Sequence, residues 1–209
     1  MTTILLIIFA ITLLYFSIAN RLMTYLSILT LQGVLLFGVA LLELREMSAV
    51  NFAFILLETV IVKAVAVPLF IRHVIRKNGI RREAEPFVPY FISLIVTTLI
   101  IVIAFVLSTM VDAPNINRTY FVVAISSVFS GLFFIVSRKK IITHVICYAL
   151  IENGVFILSL AVGNEMPLLV NLGVLLDVFI SIFLLGIFIN KIGNVINDGS
   201  VAELSSIKD

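Results

Sequence analysis

An apolar run long enough to cross a lipid bilayer covers residues 141–163 and places a glutamate, Glu152, near its centre. An α-helix rises about 1.5 Å per residue, so roughly 20 apolar residues span a hydrocarbon core of about 30 Å. A carboxylate at that depth costs on the order of 2.5–3.5 kcal/mol on insertion scales. Because a helix that only spans the membrane does not require this cost, the run predicts a function for Glu152.

The rest of the chain is similarly apolar. Hydrophobic residues make up 62% of the 209 residues and charged residues 12%, against about 45–50% and 25% in soluble domains. About seven apolar runs can be drawn, at residues 2–18, 23–43, 49–71, 87–111, 119–137, 141–163 and 167–190. Isolated strands cannot cross lipid, so the sequence predicts an all-α, polytopic membrane protein with about seven transmembrane helices.

The distribution of Lys and Arg predicts the orientation. With seven helices, most basic residues fall on one side of the membrane, in Arg21, the loop 72–82, the turn 138–140 and the tail after residue 190. Only Arg45 and Arg118 fall on the other side. Cytoplasmic segments are enriched in Lys and Arg, which predicts an inner-membrane protein with its N-terminus outside and its C-terminus in the cytoplasm. These basic residues lack interleaved aromatics, so we expect no nucleic-acid interface.

Four charged residues fall within the predicted helices: Glu58, Lys63, Glu152 and Asp177. Such residues usually face the interior of a bundle, pair with one another or line an ion route. Glu152 and Asp177 lie near the centres of their helices, and Glu58 and Lys63 straddle the centre of theirs. Three helices therefore place ionisable groups in one layer, which predicts lateral proton transfer. A purely structural contact between helices is the alternative for each residue.

Helical geometry refines these assignments. At about 100° per residue, Glu58 and Lys63 are about 140° apart, which predicts that they reach toward different neighbours. His144, Tyr148 and Glu152 instead form one polar stripe running from the cytoplasmic end to the centre of the helix. Histidine exchanges protons near neutral pH, so His144 is a candidate donor of protons to Glu152. The alternative is an interfacial histidine beside a basic turn.

Small residues predict how the helices pack. Glycines in apolar helices let neighbouring helices approach closely, and this applies to Gly131, Gly154, Gly173 and Gly186. The single cysteine, Cys147, is expected to be a small buried apolar residue.

Several segments resemble a known family. SRKKIITHVICYALIENG at residues 137–154 resembles hydrogenase-4 component E, a membrane subunit of formate hydrogenlyase-type group 4 nickel–iron hydrogenases. VKAVAVPL at residues 62–69, LGVLLD ending at Asp177 and a polar tail containing VAELSSIK fit this family in the same order. The last three predicted helices also resemble the K-type subunit of respiratory complex I, which carries mid-membrane glutamates on two successive helices. The resemblance implies that Glu152 and Asp177 correspond to these two glutamates. Counted from the basic turn, Glu152 falls about one helical turn later than in the K-type subunit, and Asp177 replaces a glutamate.

The resemblance implies a division of the chain and a set of partners. Residues 1–118 would form an N-terminal membrane bundle of four helices, residues 119–191 a K-subunit-like unit of three helices and residues 192–209 a cytoplasmic tail. The chain would be a non-catalytic subunit that contacts the lipid bilayer, antiporter-like subunits and hydrogenase subunits. It would hold no cofactor, since the nickel–iron centre and the iron–sulfur clusters belong to partner subunits.

The implied role is to help couple electron transfer to proton or sodium movement through Glu152, Asp177 and Lys63, with Glu58 assisting. Two other functions fit the same buried charges. The chain could belong to a multi-subunit cation/proton antiporter without a redox module, or it could be a noncatalytic scaffold whose charges only pair. Genes for hydrogenase subunits beside this one would favour the hydrogenase over the antiporter. A scaffold predicts that neutral replacements of Glu152 and Asp177 leave activity intact.

Overall fold

The fold is known from a computed structural model, which describes residues 1–43, 55–77, 87–110 and 117–161 and the single positions Ala53 and Gly186. Within these residues the chain is helical and forms no β-strand. The elements are α1 (Thr2–Ile18), α2 (Leu22–Glu43), a π-helix (Leu57–Ala66), α3 (Val67–Lys77), α4 (Tyr90–Met110), α5 (Arg118–Ser137) and α6 (Ile141–Ala161). Asp177, most of the predicted seventh helix and the tail 192–209 lie outside the described residues.

The helices confirm an all-α, membrane-type architecture. By length and composition, α2, α4, α5 and α6 are able to cross a membrane, and α1 is a shorter apolar helix of 17 residues. The runs predicted at 2–18, 23–43, 87–111, 119–137 and 141–163 agree with helices to within a few residues. The hydropathy pattern therefore located these helices correctly, because a long apolar segment in lipid can satisfy its backbone only by forming a helix.

The third predicted run, 49–71, differs from the structure in two ways. Residues Leu57–Ala66 form a π-helix, whose backbone hydrogen bonds join residues five apart, so the α-helical angle between Glu58 and Lys63 does not apply. Helical structure also continues through α3 to Lys77, so the first part of the predicted basic loop is wrong.

An amphipathic sequence explains the extension. Apolar Ile71, Val74 and Ile75 are buried, whereas Arg72 and Arg76 are exposed. Residues spaced three and four apart lie on one face of a helix, so the apolar face packs on the bundle while the charged face stays outside. Cations in the last turn also interact favourably with the helix dipole.

Helices α5 and α6 form the most extensive interface among the described elements. Small residues allow their close approach: a Cβ added at Gly131 would lie 2.5 Å from Ile151 Cγ1, and one at Gly154 would lie 2.8 Å from Ser127 Cβ. A Cβ at Gly186 would likewise lie 2.8 Å from Phe70 Cζ on α3. Close packing at these three glycines is thus confirmed, whereas Gly173 lies outside the described residues. Cys147 is fully buried, as predicted.

The remaining helices surround this pair. Helix α1 contacts α2, α4 and α5, and α2 contacts the π-helix and α6. Helix α4 is the most peripheral of the long helices: it buries mainly small residues against the bundle and exposes large apolar ones. Because the bundle joins helices from both sides of residue 118, the predicted division at that residue stays a prediction.

The basic residues of the turn between α5 and α6 are largely enclosed by the bundle. Arg138 is only 1% exposed, Lys140 is buried and Lys139 is half-buried. The Arg138 guanidinium lies near the rings of Tyr25, Tyr90 and Phe134, at 5.3–5.9 Å from the ring centroids. Its planar, weakly hydrated cation can stack on aromatic faces, which explains how the bundle encloses it.

Candidate functional site

A group of polar side chains lies inside the bundle, at mid-length of four helical elements. Its members are buried and come from α1, α2, the π-helix and α6: Thr12, Gln32, Lys63, Glu152 and Asn153. We call these five residues the central polar cluster. Buried polar groups require internal partners, so the contacts within the cluster determine what it can do.

Lys63 contacts α6 at Glu152. Its Nζ donates a hydrogen bond to the main-chain carbonyl oxygen of Glu152 at 3.4 Å and lies 4.7 Å from the centroid of the Phe156 ring. The donor–acceptor distance is long for a hydrogen bond, whereas the distance to the ring is within the range of a cation–π interaction. The structure therefore directs Lys63 toward α6, to the helix turn that holds the buried carboxylate.

Lys63 and Glu152 also line the same small cavity. Asn153 is the third polar residue in its wall, and Leu29, Val67 and Ala149 provide the apolar part. Its volume is about 10 Å³, and a cavity of roughly 10–15 Å³ holds about one water molecule when polar partners surround it. The two predicted ionisable groups thus share a space in which a single water could bridge them.

A chain of hydrogen bonds leads from this cavity to α1. Asn153 Nδ2 donates to Gln32 Oε1 at 3.1 Å, and Gln32 Nε2 donates to Thr12 Oγ1 at 2.7 Å. Thr12 Oγ1 in turn donates to the carbonyl oxygen of Phe9 at 2.6 Å. The amides therefore fix α6 to α2 and α2 to α1 at the level of Glu152.

Sequence reasoning missed the part of the cluster formed by Gln32, Asn153 and Thr12. Gln32 was a detectable signal, since it is a lone amide within the apolar run 23–43. Its partner was not detectable, because Asn153 is 121 residues away in the chain.

Close backbone contacts hold the cluster in place. A Cβ added at Gly33 would lie 2.8 Å from the N, Cα and Cβ atoms of Ala64. Helix α2 therefore touches the π-helix next to both Gln32 and Lys63. On the other side of α6, Ser127 Oγ donates to the carbonyl oxygen of Leu150 at 3.0 Å. These contacts leave little freedom for Lys63 to move relative to Glu152.

The other predicted site residues have different outcomes. His144 is half-buried, and its Nε2 lies 2.9 Å from the carbonyl oxygen of Arg138, so it is bonded to the turn. Its Cα is eight positions from Glu152, about 12 Å along the helix at 1.5 Å per residue, so any transfer between them needs an intermediate such as Tyr148. Asp177 and the side chain of Glu58 lie outside the described part of the structure, and their roles stay predictions.

Among the described side chains, no three His, Cys, Asp or Glu residues lie close enough together to hold a metal ion. The chemistry of the central polar cluster is therefore that of one carboxyl, one amine, two amides and one hydroxyl. Such a set can hold, bridge or exchange protons.

Comparison with known proteins shows a distant similarity. The chain is 24% identical over 168 residues to the uncharacterized protein Rv0085 of Mycobacterium tuberculosis, and the match covers 79% of this chain and 74% of that protein. No protein-family model matches the chain, and no solved structure matches it.

Proposed function

We propose that the chain is a seven-helix membrane-arm subunit of a complex I-like hydrogenase. Its central polar cluster contributes to redox-coupled translocation of protons or sodium ions. The single observation that supports this function most strongly is the convergence of Lys63 and Glu152 on one internal cavity, from positions 89 residues apart in the chain. The resemblance of residues 62–69 and 137–154 to hydrogenase-4 component E supplies the type of complex.

The proposed mechanism uses the two charges as a coupled pair. Protonation of Glu152 removes a negative charge close to the Lys63 ammonium, which lowers the affinity of Lys63 for its own proton. Coulomb interactions are strong where water is excluded, so a change on one group is felt by the other. Asp177, on the next predicted helix, would continue this exchange. Nickel–iron and iron–sulfur centres would belong to the partner subunits.

In this proposal the protein is an inner-membrane protein with its N-terminus outside and its C-terminus in the cytoplasm. It binds antiporter-like subunits on one side and hydrogenase subunits on the other, with the lipid bilayer around the remaining surface. Glu58 and His144 have supporting roles as further proton carriers.

The test is Glu152→Gln in the intact complex in sealed vesicles, with hydrogenase turnover and ion translocation measured side by side. We expect the complex to assemble and translocation to fall by at least about tenfold, since general acid–base groups typically contribute factors of about 10²–10⁴. Ser159→Ala is a control on the same helix, because Ser159 Oγ only donates to Phe156 O of its own helix.

The outcomes separate the alternative functions. Unchanged turnover and translocation in Glu152→Gln and in Lys63→Met would refute the relay and favour a scaffold. Ion exchange by the chain's complex in the absence of any hydrogenase subunit would favour the antiporter.

A further inference from the structure

One end of the bundle concentrates positive charge and the starts of several helices. Arg138 Nη2 donates to the carbonyl oxygen of Ser17 at 3.0 Å, which places the α5–α6 turn beside the end of α1. Helices α2, α4 and α6 all begin at this end, and none has an acidic residue in its first turn. The N-terminus of a helix carries a partial positive charge and favours anions.

Helices α1 and α5 end here, and Arg138 bonds to a carbonyl oxygen near the end of each. Besides the bond to Ser17 of α1, its backbone N–H donates to the carbonyl oxygen of Phe134 on α5 at 3.1 Å.

The guanidinium of Arg138 is the second, independent observation. It is 99% enclosed, yet its Nε and Nη1 atoms have no hydrogen-bond partner. Arginine presents its donors in a planar fork that matches carboxylate and phosphate oxygens, and a buried donor without an acceptor is destabilising. The Arg138 guanidinium carbon lies 5.3 Å from the centroid of the Tyr90 ring, and Tyr90 is the first residue of α4, so this positive charge lies beside that helix start.

The described part of the chain offers no acid to neutralise this charge. Glu152 is the one acidic side chain that the structure describes, and it lies in the middle of α6. The bundle end itself holds Arg21, Arg138, Lys139 and Lys140.

The surface beside this site continues as an apolar helix face. Lys139 Nζ lies 5.0 Å from the centroid of the Phe87 ring, which is 56% exposed. Helix α4 starts just beyond, and its outer face is formed by exposed apolar side chains, beginning with Phe91, Ile92, Ile95 and Leu99. Basic and aromatic residues at the end of an apolar helix are typical of the membrane interface. A negatively charged lipid headgroup would fit the basic end of the bundle, and its acyl chains would fit the apolar face of α4.

We propose that this end of the bundle binds the headgroup phosphate of an anionic phospholipid. Lys139 and the N–H groups of Phe91 and Ile92 in the first turn of α4 contact the phosphate, and the positive charge of the enclosed Arg138 guanidinium attracts it from the inside. The acyl chains lie along the exposed face of α4. The proposal stands independently of the hydrogenase function.

The experiment measures thermal unfolding of the purified full-length protein in a neutral detergent, with added phosphatidylglycerol or phosphatidylcholine. At a lipid concentration about 100-fold above the dissociation constant, we expect phosphatidylglycerol to raise the unfolding midpoint by about 5–10 °C and phosphatidylcholine to leave it nearly unchanged. Lys139→Gln should lose at least half of the rise. Arg118→Gln, which removes an exposed cation from the opposite end of α5, should keep it.

Each contrary outcome overturns the proposal. Equal effects of both lipids would show that charge is not recognised, and a full rise in Lys139→Gln would place the lipid elsewhere. If 10 mM inorganic phosphate alone reproduced the rise, the site would be one for a free anion. The double variant Glu83→Gln/Glu85→Gln tests whether a carboxylate of the chain itself compensates the charge of Arg138. A lower unfolding midpoint in this variant, together with no effect of phosphatidylglycerol on the wild type, would show that it does. Replacing the buried Arg138 by glutamine could prevent folding, so Lys139→Gln is the variant that decides the question.

Discussion

Gln32 joins three helices in the middle of the bundle, so its replacement by leucine tests the packing of the whole cluster. Its side chain bonds to Asn153 on α6 at 3.1 Å and to Thr12 on α1 at 2.7 Å. Hydrogen bonds between membrane helices contribute about 0.6 kcal/mol on average and up to about 1.7 kcal/mol. Two such bonds predict that Gln32→Leu lowers the free energy of unfolding by about 1–3 kcal/mol.

A double-mutant cycle isolates the bond between α2 and α6. The unfolding free energy of the wild type, Gln32→Leu, Asn153→Leu and the double variant would be measured in lipid bicelles by titration with a denaturing detergent. We expect the double variant to lose less than the sum of the single losses, by about 0.6–1.7 kcal/mol. Thr12→Val, which leaves the bond between Gln32 and Asn153 in place, should give a smaller loss than Gln32→Leu.

The control is Thr98→Val on α4. Thr98 is exposed, and its hydroxyl donates to the carbonyl oxygen of Leu94 in its own helix at 2.8 Å, so its replacement should change stability by less than about 0.5 kcal/mol. Additivity of Gln32→Leu and Asn153→Leu within about 0.3 kcal/mol would refute the reasoning, because independent sites behave in that way.

Three further predictions concern the packing and the ends of the bundle. Gly33→Ala should destabilise the protein by about 1–3 kcal/mol, since its Cβ would meet the backbone of the π-helix at 2.8 Å. Gly38→Ala is the control and should cost far less, because its Cβ would meet only a side-chain methyl at 3.1 Å. Equal unfolding midpoints of the two variants would contradict this prediction. Cys147 should react with a maleimide at least about tenfold more slowly in the folded protein than in denaturing detergent, because it is fully buried; fast labelling of the folded protein would show that α6 is open there. Cysteines introduced at the exposed Asn20 and Asn117 should be labelled from opposite sides of the membrane, since these asparagines lie at opposite ends of the bundle; labelling from one side only would be inconsistent with the helix order.

The sequence predicted five of the helices to within a few residues because hydropathy is a local property. A continuous apolar segment such as 141–163 has essentially one way to cross lipid, and its neighbours do not change that. The same locality explains the error at residues 72–77. Hydropathy averaged over this segment is low, so only the buried spacing of Ile71, Val74 and Ile75 reveals the helix.

The candidate site was predicted in part. Lys63 and Glu152 stood out because a charge within an apolar run is costly and therefore noticeable. Gln32 and Asn153 are uncharged and give a weaker signal, and their pairing depends on how α2 and α6 pack. Arg138 gave the opposite signal, since an arginine in a basic turn is ordinarily exposed and only its aromatic neighbours from three helices enclose it.

The sequence by itself thus determined the helical, membrane-type architecture, the positions of five helices, and the burial of Lys63 and Glu152 within them. The tertiary structure decided which of these residues meet: Lys63 with Glu152 in one cavity, the two amides across α2 and α6, and the Arg138 guanidinium with its aromatic rings. The physical reason is the distance along the chain over which the interactions act. Apolar segments form helices through contacts within about one turn and with lipid, whereas polar partners are chosen by the packing of helices that are far apart in the chain.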